Sequence, residues 1–302
     1  MEFTVINANI NDLASTSEDG DRNLTSDSVE LAQLDPQVIS NLGESEFQTE
    51  NNDNSIHVVL VNDSGLNLTG SANDDNLYGS ENSDVLSGKD GKDLLEGRQG
   101  NDTLYGGRGS DTLQGGAGND ALYGGKGLDT VIESGNIDFT LSNSQLKGRG
   151  MDTIGQIEFA ELSGGADDNL IDASSATRIK TKLMGNRGND TLMGSQMNDS
   201  IYGGAGKDII HGGMGEDLLV GNGGADIFAL EPAMDRDLIA DFQDGMDKFG
   251  LSNSLGFSDL SITNNPKNTA TLIADATNEN ELLAVVNNID AADLTAADFT
   301  TI

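Results

Sequence analysis

A nine-residue repeat constrains this chain more than any other feature of its sequence. From Gly70 to Ile132 the chain reads GSANDDNLY, GSENSDVLS, GKDGKDLLE, GRQGNDTLY, GGRGSDTLQ, GGAGNDALY and GGKGLDTVI without a slip. The repeat returns from Gly185 to Ala229 as GNRGNDTLM, GSQMNDSIY, GGAGKDIIH, GGMGEDLLV and GNGGADIFA. Every unit has Gly at position one, Asp at position six and an apolar residue at position eight. A fixed period of this length predicts a stack of similar units.

The chemistry of one unit predicts a turn followed by a short strand. Glycines at positions one, two and four allow a positive φ, so the first six residues can turn tightly. Asn73 and Asn82 replace glycine at position four and tolerate that conformation, whereas Met197 does not suit it. Positions seven to nine then form a three-residue strand whose position eight points to one face. Two units make a coil of turn, strand, turn and strand.

Stacking such coils about 4.8 Å apart, the spacing of paired strands, creates a thin interior between two parallel sheets. The position-six aspartates then form two rows, one along each edge. The interior leucines of the first array are Leu77, Leu86, Leu95, Leu104, Leu113 and Leu122.

The aspartate rows point to a bound cation. Two carboxylates about 4.8 Å apart repel by roughly 3.5 kcal/mol at an effective dielectric constant of about 20. Carboxylates and the backbone carbonyls of glycine-rich turns are hard oxygen ligands, which suit Ca²⁺. The units resemble the G-G-x-G-x-D-x-U-x nonapeptide of the RTX (repeats-in-toxin, haemolysin-type) calcium-binding family of bacteria. A flexible Gly/Asp-rich tract is the competing interpretation, but such tracts lack a strict apolar position.

The RTX resemblance implies an all-β fold, a right-handed parallel β-roll or β-solenoid with a C-terminal β cap. It also implies that each ion lies between the turns of units i and i+2, which gives about eight Ca²⁺ ions. The predicted metal ligands are Asp75, Asp84, Asp93, Asp102, Asp111, Asp120, Asp129, Asp152, Asp168, Asp190, Asp199, Asp208, Asp217, Asp226, Asp244 and Asp247.

Charge and composition exclude several classes of function. The net charge of −35 argues against nucleic acids and anionic membrane surfaces as partners, and favours cations. The absence of cysteine excludes disulfides, thiol catalysis and cysteine-based metal sites. No apolar run approaches 18 residues, so we expect no membrane span. The first residues, MEFTVINANINDLAS, lack the basic and long apolar segments of a cleaved signal peptide.

The segments outside the two arrays divide the chain into three predicted domains. The acidic N-terminal segment is expected to be largely flexible, apart from a short helix between Asp27 and Leu42. The apolar run Ile56 to Val61 predicts a first strand. The predicted domains are residues 1–55, a calcium-binding roll over 56–230 (arrays 70–132 and 185–229, irregular coils 133–184) and a cap over 231–302.

Residues 133–184 lose the nine-residue period but keep aspartate-bearing turns, KGRGMDTIG around Asp152 and SGGADDNLI around Asp168. The segment from Gly150 to Ser174 is similar to one found in RTX proteins, "GxDTLxxIExxxLxG…NxxDAS". We therefore expect the solenoid to continue through coils of uneven length. The alternative is a split into two domains, but the segment has no Gly, Ser or Pro run typical of a linker.

The region after Ala229 resembles the end of RTX rolls. Residues 235–251, DRDLIADFQDGMDKFGL, are similar to their closing segment, and Asp244 and Asp247 flank Gly245 in a predicted last calcium turn. Strands at Ala270 to Ala274 and Leu282 to Val286 predict a hairpin that covers the open end, since a bare end would be an aggregating edge. The residues LTAADFTTI resemble the uncleaved C-terminal signal of type I secretion.

Catalytic signatures are missing from the sequence. It contains neither HExxH nor G-x-S-x-G, and only two histidines, His57 and His211, which we interpret as solvent-facing. Carboxylate pairs abound, so the residues alone leave a two-carboxylate glycosidase open.

All four tyrosines, including Tyr105 and Tyr123, occupy position nine of a unit. This position predicts an exposed aromatic ladder; the alternative is that tyrosine is simply a favourable residue for an exposed strand.

We expect a non-catalytic, calcium-dependent secreted or cell-surface protein with a matrix, adhesion or surface role. Its partners would be calcium ions and extracellular polysaccharide or cell-surface components. The alternative is a secreted enzyme that acts on polysaccharide along the solenoid face.

Overall fold

The computed structural model describes residues 57–59, 65–231, 236–252, 255–279 and 281–302. The predicted helix between Asp27 and Leu42 and the predicted flexible segment 1–55 lie outside these residues. The described part consists of β-strands and short 3-10 segments, with no α-helix. The described residues fall into two compact units, one within 57–131 and 152–157, and the other within 132–151 and 158–302. Each is described in turn.

The first unit is a parallel β-solenoid. Its strands alternate between two ladders, β1-β3-β5-β7-β9 and β2-β4-β6-β8-β12. Paired residues of neighbouring strands are 18 residues apart from β2 to β9, whereas Thr153 of β12 pairs with Ala121 of β8. Leu86 pairs with Leu104, and Leu104 with Leu122. The strands are β1 (His57–Val59), β2 (Asn67–Thr69), β3 (Asn76–Tyr78), β4 (Val85–Asp90), β5 (Leu94–Gln99), β6 (Thr103–Arg108), β7 (Thr112–Ala117), β8 (Ala121–Lys126), β9 (Thr130–Ser134) and β12 (Met151–Gly155).

The predicted interior leucines of this unit are confirmed, because all six are 0 % exposed. Burying a leucine side chain contributes about 1.5–3 kcal/mol, so the single apolar position of each unit is the main source of core stability.

Most strands of the repeat are longer than the three residues predicted from the sequence. Strand β5 runs through positions one to three of the next unit, where Arg98 pairs with Gly116. Arg98 has a φ of +79° and Gly116 a φ of +97°. Because the positive φ recurs at the same position in stacked coils, their turns remain in hydrogen-bonded register, as their strands do.

The second unit also contains two ladders. One comprises β13-β15-β17-β19-β21-β25-β24-β23 and the other β11-β10-β14-β16-β18-β20-β22-β26. The strands are β10 (Phe139–Ser142), β11 (Gln145–Lys147), β13 (Phe159–Ser163), β14 (Leu170–Ser175), β15 (Lys180–Arg187), β16 (Thr191–Met193), β17 (Ser200–Ala205), β18 (Ile209–His211), β19 (Leu218–Gly223), β20 (Ile227–Leu230), β21 (Asp237–Ile239), β22 (Lys248–Leu251), β23 (Leu260–Asn264), β24 (Ala270–Asp275), β25 (Glu281–Asn287) and β26 (Phe299–Thr301).

The predicted C-terminal hairpin is present as the antiparallel pair β24 and β25. Strand β25 also pairs in parallel with β21, and β26 pairs in parallel with β22, so the last residues extend both ladders. Phenylalanine rings pack beside them. Phe242 and Phe249 are stacked with ring centroids 4.2 Å apart, and Phe249 and Phe299 are tilted with centroids 5.1 Å apart. Within the described residues, no helix has the length and apolarity needed to traverse a lipid bilayer.

Candidate metal centre

Buried carboxylates recur along the turns of both units, at the edges of the ladders. In each case the apolar residue two positions after the aspartate packs in the core. This packing holds the aspartate side chain inside the turn. The carboxylates that are at most 3 % exposed and continue this row are Asp75, Asp84, Asp93, Asp102, Asp111, Asp120, Asp129, Asp152, Asp190, Asp199, Asp208, Asp217, Asp226 and Asp247.

One oxygen of these carboxylates links successive coils. The backbone N–H of Asp75 donates to Oδ1 of Asp93 at 2.9 Å, and the N–H of Asp84 donates to Oδ1 of Asp102 at 2.8 Å. Asp152, outside the strict period, continues the row by accepting from the N–H of Asp120 at 2.9 Å. Each such carboxylate therefore satisfies a buried backbone donor of the preceding coil.

The other oxygen is buried without a hydrogen bond in much of the array. A buried carboxylate oxygen without a partner is costly, because it has lost its water and gained nothing in exchange. These Oδ2 atoms belong to Asp93, Asp102, Asp111, Asp120, Asp190, Asp208 and Asp226.

The glycine at position one provides the space for this second oxygen. A Cβ atom added to Gly106 would lie 2.5 Å from Oδ2 of Asp111 and 2.6 Å from the carbonyl oxygen of Gly124. In the unit that begins at Gly106, positions two and four have a positive φ, as predicted, with +119° at Gly107 and +143° at Gly109, but position one does not. Asn73 and Asn82, at position four of their units, do not adopt the positive φ that the sequence allowed there. Glycine is required at position one because of the close approach of oxygen atoms, and the backbone conformation does not demand it.

Burial makes the bare carboxylates basic. It raises the pKa of Asp93, Asp102 and Asp226 to about 7, against the lowering effect of their backbone hydrogen bonds. Neighbouring carboxylates raise these pKa values further. Burial likewise raises the pKa of Asp152 and Asp190 to about 6. A cation beside these oxygens would reverse the effect, since it favours the charged form.

The donors present fit calcium. Carboxylate oxygens predominate among the buried polar side-chain atoms without a hydrogen bond, and glycine carbonyl oxygens lie beside them. Among the described residues, no point gathers three or more His, Cys, Asp or Glu side chains. A bound ion would therefore take many of its ligands from backbone carbonyls, which is typical of Ca²⁺ and unlike the nitrogen and sulfur sites of zinc.

Two predicted ligands lie outside the buried row. Asp168 is exposed and accepts from the N–H of Asn189 at 2.6 Å, whereas the next residue, Asn169, occupies the buried place. Asn169 N–H donates to Oδ1 of Asp190 at 2.7 Å. Asp244 is also exposed, while Asp247 is buried and accepts from the N–H of Asp226 at 3.0 Å.

Two acidic residues that the sequence reasoning missed belong to the same edge. Asp237 is buried and accepts from the N–H of Asp217 at 3.2 Å; burial and the charge of Asp217 raise its pKa. Asp241 accepts from the N–H groups of Gly221 and Asn222 at 2.9 and 2.8 Å. The triplet Asp237, Leu238 and Ile239 repeats positions six to eight of the unit, a signal that was present in the sequence.

His211, the one histidine whose side chain the structure describes, is half-buried. His211 Nδ1 lies 3.0 Å from Oε1 of Glu231, and the hydrogen bond from His211 lowers the pKa of the Glu231 carboxyl group. The side chain of His57 lies outside the described residues.

Comparison with known proteins gives one family. The RTX calcium-binding nonapeptide repeat matches in four copies, at residues 67–95, 96–131, 184–219 and 193–228. No curated protein matches the chain. Among solved structures the chain is similar to the extracellular lipase LipA from Serratia marcescens, with 18 % identity and a TM-score of 0.26. The match covers 78 % of this chain and 40 % of the lipase chain, so this chain spans less than half of the lipase's length.

Proposed function

This chain is an RTX calcium-binding repeat protein, and from that premise we propose that it is secreted or displayed at a cell surface and folds when Ca²⁺ binds between its repeats. The observation that carries the proposal is the row of buried Oδ2 atoms without hydrogen bonds. In the folded turn these oxygens need a positive partner, and the chain has only 16 Lys and Arg residues against 51 Asp and Glu residues.

Calcium also opposes the self-repulsion of the chain. At a net charge of −35, the calcium-free chain is driven toward expanded states. Each bound ion removes two negative charges from the total and supplies coordination energy that the thin leucine core lacks. Folding and calcium binding should therefore be one event.

A calcium titration followed by circular dichroism and native mass spectrometry tests this proposal. We expect β-sheet signal to appear with a midpoint of about 10⁻⁴–10⁻³ M, as for extracellular calcium modules. Magnesium should not replace calcium, because it demands a tighter octahedral site and sheds water reluctantly. Two bound ions or fewer at saturation would contradict the proposed function.

We further propose that the protein has no catalytic activity and serves in matrix, adhesion or surface coating. Export by a type I system agrees with this role, since cytosolic calcium lies far below the expected affinity and extracellular calcium near or above it. The chain would then cross a narrow channel unfolded and fold outside the cell.

A second candidate, an enzyme acting on polysaccharide, is favoured by one surface feature. The rings of Tyr105 and Tyr123 stack on the outer face of neighbouring strands, with centroids 5.4 Å apart and planes 14° apart. Tyr105 is 44 % exposed, as an aromatic sugar contact requires. Calcium-loaded protein should be incubated with a polysaccharide panel, with Tyr105→Ser/Tyr123→Ser as the test variant and Tyr202→Ser as its control. Cleavage would support the enzyme, and binding without cleavage the surface role.

A further inference from the structure

Units with serine at position two form a different kind of turn. They also lack glycine at position four, where Asn73, Asn82 and Met197 stand. The three units are GSANDDNLY, GSENSDVLS and GSQMNDSIY.

In the second of these units the serine occupies both oxygens of the carboxylate. The backbone N–H of Ser80 donates to Oδ2 of Asp84 at 2.5 Å, and its hydroxyl donates to Oδ1 at 3.2 Å. The N–H of Asn82 in turn donates to Oγ of Ser80 at 3.1 Å. A closed ring of hydrogen bonds thus fills the inside of the turn.

The same ring recurs in the second array. Ser195 N–H donates to Oδ2 of Asp199 at 2.5 Å and its hydroxyl to Oδ1 at 3.1 Å, while Met197 N–H donates to Oγ of Ser195 at 3.0 Å. Ser71 and Asp75 repeat the arrangement, with the N–H donating to Oδ2 at 2.6 Å. The three copies share the hydroxyl bonds, which only serine supplies. The N–H bond to Oδ2 alone also occurs between Gln243 and Asp247, at 2.8 Å.

The backbone also differs from that of the glycine units. Gly204 and Gly206, in the unit that follows Met197, have φ values of +114° and +144°, whereas φ is not positive at Ser195 or Met197. The serine turn therefore presents its carbonyl groups differently. Its carboxylate meets N–H and O–H donors where the corresponding Oδ2 of Asp208 has no hydrogen bond.

We propose that the three serine turns bind no calcium, because their own serine replaces the ion as the partner of the buried carboxylate. Hydrogen bonds to a carboxylate stabilise its charged form, so the serine removes the need for a cation. The donor hydrogens would also repel an ion placed beside Oδ2. This inference rests on the proposed calcium binding and divides the repeats into calcium-holding glycine turns and calcium-free serine turns.

The division lowers the expected number of ions. Of the sites formed between units i and i+2, those that include a serine unit are lost, which reduces about eight sites in the two arrays to about five. The vacant positions are the N-terminal end of the first array and the middle of the second. Calcium should therefore bind in two separate blocks of glycine turns.

Native mass spectrometry at saturating calcium, applied to matched variants of the full chain, tests the assignment. Ser195→Gly/Met197→Gly restores the glycine pattern and should bind one more ion than the natural chain. Ser195→Ala/Met197→Ala removes the same side chains without allowing a positive φ, and its ion count should not change. A glycine variant that folds but gains no ion would overturn the proposal.

A second pair of variants decides the question if the glycine variant fails to fold. Asp199→Asn should leave the number of bound ions unchanged, whereas Asp208→Asn should lose at least one. Equal losses in the two variants would overturn the serine assignment and leave calcium binding intact. A natural chain that binds no more than two ions would instead refute the proposed function itself.

Discussion

The backbone N–H of Asp93 donates to Oδ1 of Asp111 at 2.9 Å, across the 18 residues that separate one coil from the next. The N–H of Asp111 makes the same bond to Oδ1 of Asp129 at 2.9 Å. The second oxygen of Asp111 has no hydrogen bond and lies beside Gly106, where no Cβ could fit. One carboxylate can therefore join two coils through one oxygen and offer the other to a cation.

Replacing Asp111 with alanine should damage both roles. It leaves the N–H of Asp93 buried without its acceptor, which costs about 1–3 kcal/mol, and it removes a ligand from the proposed ion site. We expect the calcium midpoint of folding, followed by circular dichroism, to rise by about twofold, because a loss of about 2 kcal/mol is shared among about five ions that bind as the chain folds. Glu81→Ala removes the same charge from an exposed position and is the control. Equal midpoints for the two variants would show that the aspartates act only as diffuse charge.

Adding a methyl group at position one should block the site without changing any charge. In Gly106→Ala the new Cβ would meet two oxygen atoms at about 2.5 Å, and overpacking of this kind costs about 1–3 kcal/mol. We expect a clear fall in the melting temperature at saturating calcium and the loss of at least one ion. In Gly223→Ala the nearest atom to the new Cβ is 3.8 Å away, so this control should melt within a few degrees of the natural chain. A similar fall in both variants would rule out the specific clash.

The raised pKa values predict that acid partly replaces calcium. The folded, calcium-free form has pKa values of about 7 at Asp93, Asp102 and Asp226, against the ordinary value of 3.8. At pH values between about 4 and about 7, the folded form binds more protons than the unfolded form. The stability of the calcium-free folded form therefore falls as the pH rises through this range. Calcium-free protein should gain β-sheet signal when the pH is lowered from about 7.5 to about 5.

Calcium binding should show the opposite dependence on pH. Because protons and calcium compete for the same oxygens, the calcium concentration at the folding midpoint should rise on the same acidification. Circular dichroism at several fixed pH values measures both trends. If the spectrum of the calcium-free chain did not change between about pH 7.5 and about pH 5, the buried carboxylates would not carry the proposed charge penalty.

The C-terminal residues lead to a prediction about export. Phe299 packs against Phe249 and Phe257, at ring distances of 5.1 and 5.0 Å, and its strand joins the ladder beside β22. A secretion signal at these residues would be accessible only before the chain folds. In a bacterium with a matching type I exporter, deleting the residues after Gly250 should trap the protein inside the cell, and deleting residues 1–55 should not. Export that survives the C-terminal deletion would refute this route and leave calcium-driven folding untouched.

Most of the architecture could be predicted from the nine-residue period of the sequence alone. Glycine at fixed places sets where the chain turns, and one apolar residue per unit sets which face is buried. Leu104 and Leu122, for example, are both fully buried and lie opposite each other, as the doubled period of 18 residues predicts. The aspartate row follows from the same period, because the aspartate at position six always lies two residues before the buried residue at position eight.

Sequence reasoning placed the aspartate of one irregular turn one residue early. Asp168 continues the pattern of acidic residues, but Asn169 is buried, because Ile171 two residues later is the side chain that packs in the core. Where the period is lost, packing of the apolar residue determines which side chain enters the turn. Only the structure shows which apolar residue that is.

The sequence by itself determined that this chain forms a solenoid with buried rows of carboxylates that suit calcium, because a strict period repeats the same local geometry in every coil. Only the tertiary structure decided which carboxylates have hydrogen-bond donors for both oxygens. Asp84 and Asp102 are both position-six aspartates, but Oδ2 of Asp84 accepts the N–H of Ser80, whereas Oδ2 of Asp102 accepts no hydrogen bond. The physical reason is that the charge of a buried carboxylate is stabilised by the hydrogen-bond donors that surround it in space. The path of the backbone through the folded turn decides whether such donors reach the carboxylate.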